Sequence, residues 1–148
     1  MQPGILFSII GAFAAGLLVA LQAPTNAMLS RAVDSPVNAA LVSFGVGLLA
    51  LAVAALVLGV RPHPAEVRAL PWYAWIGGLY GAVFVAIAAF AAPRIGVTQL
   101  LIIAIAGQIA MALVLDKIGA FGIPKTDISP MRIAGVVFVL AGVFLVRR

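Results

Sequence analysis

From Ile5 to Leu29 no side chain is charged and apolar residues dominate. A run of that length constrains the chain more than any other feature. About 20 apolar residues carry a helix across the hydrocarbon of a bilayer. Inside that hydrocarbon only a helix or a closed barrel satisfies every backbone polar group. Four further apolar runs follow. The expected fold class is therefore an all-α integral membrane protein with five transmembrane helices. The expectation is a single transmembrane domain over 1–148, with helices at about 5–30, 37–60, 72–92, 97–115 and 130–146. The chain is 65% hydrophobic and 9% charged, against about 45–50% and about 25% in soluble domains, which excludes an ordinary soluble domain.

Local signals place the ends of these helices. The first run would be roughly 38 Å long at 1.5 Å per residue, so it must tilt or bend, and Pro24 is the expected bend. It lacks the basic and cleavable flanks of a signal peptide and is read as a retained helix. Ser35 as N-cap with Pro36 at the first helical position starts the second run. The loop from Arg61 to Arg68 is the most polar segment. Trp72, Tyr73 and Trp75 open the third run as an aromatic belt. Pro93-Arg94-Ile95-Gly96 is a tight connection that makes helices three and four antiparallel neighbours. Residues 120–128, broken by Gly122 and Pro124, read as a surface loop, and Ser129-Pro130 caps the last run. That run would span roughly 25 Å and stands nearly upright. Gly77-x-x-x-Gly81 and the pair Gly135 and Gly142 read as packing positions, where glycine lets helices approach.

Charge does not choose an orientation. With five spans, one side carries Arg61, Arg68, Lys117, Lys125 and Arg132, and the other Arg31, Arg94, Arg147 and Arg148. Five against four is almost no bias under the positive-inside rule. Either a single loop or end decides the orientation, or the chain inserts both ways and two copies pair antiparallel. Such a pair would imitate the inverted repeats of larger transporters, with a site at the midplane.

An enzyme is hard to assemble. The lone histidine, His63, sits between two prolines in a loop, and Asp34, Glu66 and Asp127 are also loop residues. Asp116 closes run four beside Lys117, as a surface ion pair or helix-end contact. Cysteine is absent, so no thiolate metal site or cysteine nucleophile exists. No metal-ligand set, cofactor motif or nucleic-acid surface is visible. No carboxylate lies deep in a run, which argues against proton coupling through a midplane acid.

The deep polar groups are neutral. Gln22 and Asn26, spaced i, i+4 around Pro24, share a face of the first helix, on a stripe that also holds Ser8, Gly11, Ala15 and Ser30. Gln108 lies mid-run beside Gly107, Ser43 lies in run two, and Tyr80 with Phe84 lies in run three. An amide in hydrocarbon is rare and usually functional. The amides either hold the bundle through interhelical hydrogen bonds or line a substrate cavity. Tyr80 and Phe84 either pack or form its aromatic wall. The candidate substrate-binding residues are thus Gln22, Asn26, Gln108, Ser43, Tyr80 and Phe84.

Several segments together resemble the YdcZ-like family of the drug/metabolite transporter superfamily. They are Gly16 with Gln22, Asn26 and Leu29, and Trp72 to Gly78. The others are Pro93 to Gly96, Gly107-Gln108 leading to Asp116 through Gly122, and Arg132 to Gly135 with Gly142. The resemblance covers essentially the whole chain. It implies an inner-membrane location, a transport role and single-gene members that assemble as antiparallel homodimers, here of ten helices. It is similar to that of the four-helix small multidrug resistance proteins, whose deep glutamate this chain lacks. The expected function is transport (export) of a small polar or amphipathic molecule by alternating access. The expected partners are that substrate, the lipid bilayer and a second copy of the chain. The alternative is a non-transporting membrane scaffold or accessory subunit.

Overall fold

The computed structural model describes residues 3–61 and 63–146. Arg147 and Arg148, counted in the charge tally, lie outside the described residues, as does Pro62. The described chain is helical and contains no strand. It consists of α1 (Pro3–Ala32), α2 (Pro36–Leu58), the short α3 (Pro64–Ala69), α4 (Gly77–Ile95), α5 (Val97–Ile118) and α6 (Pro130–Val146). A 3₁₀ turn over Trp72–Ile76 leads into α4. Among the described residues four segments are long and apolar enough to cross a membrane: Gly4–Ala32, Pro36–Leu58, Trp72–Ile95 and Val97–Ile118. α6 is apolar but shorter, at 17 residues.

Several ends differ from the sequence reading. The polar loop after α2 contains α3, which starts at a proline in its first turn. α4 continues through Pro93 to Ile95, so Gly96, at φ 80°, is all that separates it from α5. Pro93 leaves the Ala89 carbonyl without its helical donor, but the turn survives beside it. α5 runs past Asp116 and Lys117 and stops at Gly119, whose φ of 66° is the left-handed conformation that ends a helix. α1 is one helix through Pro24. There the Thr25 hydroxyl donates to the carbonyls of Leu21 and Gln22, at 3.0 and 2.9 Å.

The expected start of α2 is present. Ser35 Oγ accepts from the Asn38 amide at 3.2 Å with Pro36 following it. The turn before it is closed from α1. Asp34 holds φ 50°, and the Ser35 amide donates to the Ser30 carbonyl at 3.0 Å. An aspartate therefore occupies the left-handed position after a helix where glycine is usual.

The chain divides into two compact units, 1–94 and 95–148. In the first, α1 packs on α2, and α4 approaches them where Ala89 shares a cavity with Ala27 and Gly81 meets Phe44. The buried residues are Ala23 and Ala27 on α1, Ala39 and Ala40 on α2, and Val85, Ala88, Ala89 and Ala92 on α4, with Asn26 among them. On α4 they recur at i, i+3, i+4 and i+7, one stripe of the helix. Small side chains allow close approach, which drives association where lipid removes any hydrophobic advantage. The glycines play less of this role than their spacing suggests. A Cβ on Gly81 would meet Phe44, but one on Gly77, Gly135 or Gly142 would meet nothing within 4 Å.

In the second unit α5 and α6 pair. Arg132 on α6 donates to Asp116 on α5 at 3.1 Å. The partner of Asp116 is thus the next helix and not the adjacent Lys117. The Thr126 amide donates to the Asp116 carbonyl at 2.9 Å, holding the connecting loop to the end of α5. The Ser129 hydroxyl accepts from the Arg132 amide and starts α6.

Large apolar side chains face outward along all of the long helices, for example Phe7, Leu56, Val57 and Phe138. In water such a surface would aggregate; in hydrocarbon it is the ordinary exterior of a membrane helix. Trp72 and Trp75 are also exposed, with Trp72 edge-on to Tyr73 at 6.0 Å.

Candidate functional site

α1 carries the candidate site. Gln22, Asn26 and Ser30 follow one another at i, i+4 and i+8, so they line one face over roughly 12 Å of helix. Each meets different surroundings. Gln22 is half-buried and lines a cavity of about 300 Å³ with Ser43, Phe44 and Gly47 of α2. Gln22 is ten residues from the end of α1, or about 15 Å, which is half the thickness of a bilayer core. Ser30 lines a second cavity of about 490 Å³, with Arg31, Asp34, Ser35, Phe90 and Arg94. This one opens where α1 and α4 end and α2 begins.

Asn26 lies between these two positions along α1. It is 5% exposed, and its Nδ2 has no hydrogen-bond partner among the described residues. The other buried residues of the first unit are alanines and Val85, which offer no side-chain acceptor. Nor does the Asn26 Nδ2 bond to Gln22, although the i, i+4 spacing puts both on one face. An unpaired buried amide costs about 1–3 kcal/mol, so its retention needs a reason other than cohesion.

The remaining candidates fall elsewhere. Ser43 joins Gln22, but the aromatic beside them is Phe44, not Tyr80 or Phe84. Tyr80 stands exposed on α4, and Phe84 is half-buried one turn on. Phe44 was legible as the residue next to Ser43, yet its direction depends on how α2 rotates against α1. Gln108 is exposed on α5, in the second unit.

The larger cavity was missed because its charged residues read as topology signals. Arg94 folds back along α4: its guanidinium stacks 3.5 Å from the centroid of the Phe90 ring and donates to the Phe90 carbonyl. Cation–π contact and the position of Arg94 in the last turn of α4 both favour that pose. Arg31 and Asp34 face the same cavity without a hydrogen bond or ion pair to any described residue.

Among the described residues no cluster of His, Asp or Glu could hold a metal ion. What the arrangement offers is a charged mouth, a dry amide and an inner, largely apolar cavity with Gln22 and Ser43 as its polar groups, along one helix. The chain matches the family model described as "Putative inner membrane exporter, YdcZ" over residues 7–145. No curated protein and no solved structure matches it.

Proposed function

The chain belongs to the YdcZ family of inner membrane exporters, a multi-pass family of the inner membrane, and from that premise we propose that it exports a small polar or amphipathic molecule along the Gln22–Asn26–Ser30 face of α1. The observation that carries this reading is the orphan Nδ2 of Asn26 between two cavities. A donor held dry and unpaired is complementary to an acceptor that arrives from outside. Substrate enters the cavity at Ser30, passes Asn26 and reaches Gln22 and Ser43 near the midplane. Asn26 among alanines forms the constriction, and its amide gives a passing polar group one hydrogen bond where lipid would give none.

Alternating access follows if α6 completes a fifth span and two copies pair antiparallel. The near balance of five against four charges supports that arrangement. In such a dimer of ten helices the same face appears twice, once opening to each side. Gln108, Tyr80 and Phe84 would then be supplied to the path by rearrangement or by the second copy. The exporter class is not an enzyme class, and none of the side chains along this face forms a nucleophile–base pair. A scaffold would use these amides to bind helices together; the unpaired Nδ2 favours transport over that alternative.

The test is flux. Purified protein in liposomes is loaded with a metabolite mixture, and efflux is followed by mass spectrometry. Gln22→Ala, Ser43→Ala and Asn26→Ala should each lower export of the same compound at least tenfold while leaving the protein folded and its oligomer intact. Unchanged export in all three would remove this path. Reporter fusions at the C-terminus test the dimer, and a single orientation in every cell would exclude the antiparallel pair.

A further inference from the structure

The cavity at the end of α1 and α4 holds three charged side chains that do not pair with each other. Arg31 and Arg94 are guanidinium groups, Asp34 is a carboxylate, and all three line one space of about 490 Å³. Opposite charges that share a surface normally close into an ion pair, as Asp116 and Arg132 do in the second unit at 3.1 Å. Here they stay apart. Phe90 holds Arg94 through its ring and its carbonyl. The turn holds Asp34, whose backbone is fixed at φ 50° between the end of α1 and the Ser35 cap of α2. Both signs are thus anchored by the fold with open space between them.

Helix termini add to the pattern. α1 and α4 end here, each with a partial negative charge, while α2 begins here with a partial positive one. The cavity is therefore neither a plain anion site nor a plain cation site. We propose that it is the selecting site of the exporter and takes a small zwitterion of the amino-acid type, with a carboxylate on Arg94 and Arg31 and an ammonium on Asp34. Guanidinium suits a carboxylate through its planar fork of donors. Asp34, with Ser30 and Ser35 beside it, provides acceptors for an ammonium. The unpaired Nδ2 of Asn26 is the next polar group along α1, four residues further in from Ser30, and donates to the substrate once it leaves the mouth. This assignment rests on the transport reading for its role, but the binding chemistry can be measured without transport.

The experiment is a thermal-shift titration of the full chain in lipid nanodiscs. The probes are alanine, serine, threonine and leucine, with acetate and methylammonium as the separate halves. The amino acids should stabilise the protein saturably, and neither half should do so at equal concentration. Arg94→Gln and Asp34→Gly should each raise the half-saturating concentration about tenfold, the scale of a lost charged hydrogen bond. Asp34→Gly suits the left-handed backbone, so a folding defect does not explain its loss. Acetate acting as well as the amino acids would overturn the zwitterion in favour of a simple anion site. No stabilisation by any amino acid, or equal stabilisation in both variants, would also overturn it. Liposome flux separates the two levels. Export of a non-zwitterion unaffected by either variant removes this site and leaves the exporter. Binding of zwitterions without export of any compound keeps the site and removes the exporter.

Discussion

The ring of Phe44 on α2 lies against Gly81 on α4, and a Cβ on Gly81 would stand 3.1 Å from Phe44 Cζ. The contact joins α2 to α4 within the first unit. Phe44 is 38% exposed, so its ring can swing by a few tenths of an ångström. Gly81→Ala should therefore change stability by less than about 1 kcal/mol, whereas Gly81→Leu overpacks and should lose about 1–3 kcal/mol. Adding Phe44→Ala to Gly81→Leu should recover part of that loss. Unfolding in mixed micelles measures it; strictly additive losses would mean the two side chains are not in contact.

Asn26 should show stability and function in opposition. Asn26→Leu removes a buried donor without a partner and keeps the same branched heavy-atom outline. It should raise unfolding stability by about 1 kcal/mol while reducing export at least tenfold. A loss of stability of that size instead would show that the amide is bonded in the folded protein.

Asp34 makes a parallel case at the turn. Its φ of 50° is easier for glycine than for aspartate. Asp34→Gly should leave stability unchanged or raise it by up to about 1 kcal/mol, measured as the shift in melting temperature without ligand. A marked fall would show that its carboxylate holds the α1–α2 turn.

The ion pair of Asp116 and Arg132 is partly exposed, at 35% and 46%. Exposed pairs contribute about 0–1 kcal/mol. Asp116→Ala should cost no more than that, and the effect should shrink as salt rises. Exchanging the two residues, Asp116→Arg with Arg132→Asp, should restore most of it. A loss of several kcal/mol would place the pair in hydrocarbon and not at the surface.

Much of the architecture was legible in the residues because hydrocarbon leaves a chain few choices. Uncharged runs the length of a bilayer have to be helices, and Ser35-Pro36 and Ser129-Pro130 mark their starts by local hydrogen bonding. Family motifs spread over the whole chain pointed to an inner membrane exporter, and the i, i+4 spacing of Gln22 and Asn26 put both on one face. These facts depend on near neighbours in sequence. What surrounds that face depends on how helices rotate and approach one another, and only the tertiary structure decided it. Packing in the first unit left Asn26 5% exposed, with its Nδ2 unpartnered among the described residues. The rotation of α2 brought Ser43 and Phe44 to Gln22, and the placement of α4 brought Arg94 beside the mouth that Arg31 and Asp34 share. A charge at a helix end looks the same in sequence whether it faces solvent or a cavity, because the difference lies in which distant helix stands opposite.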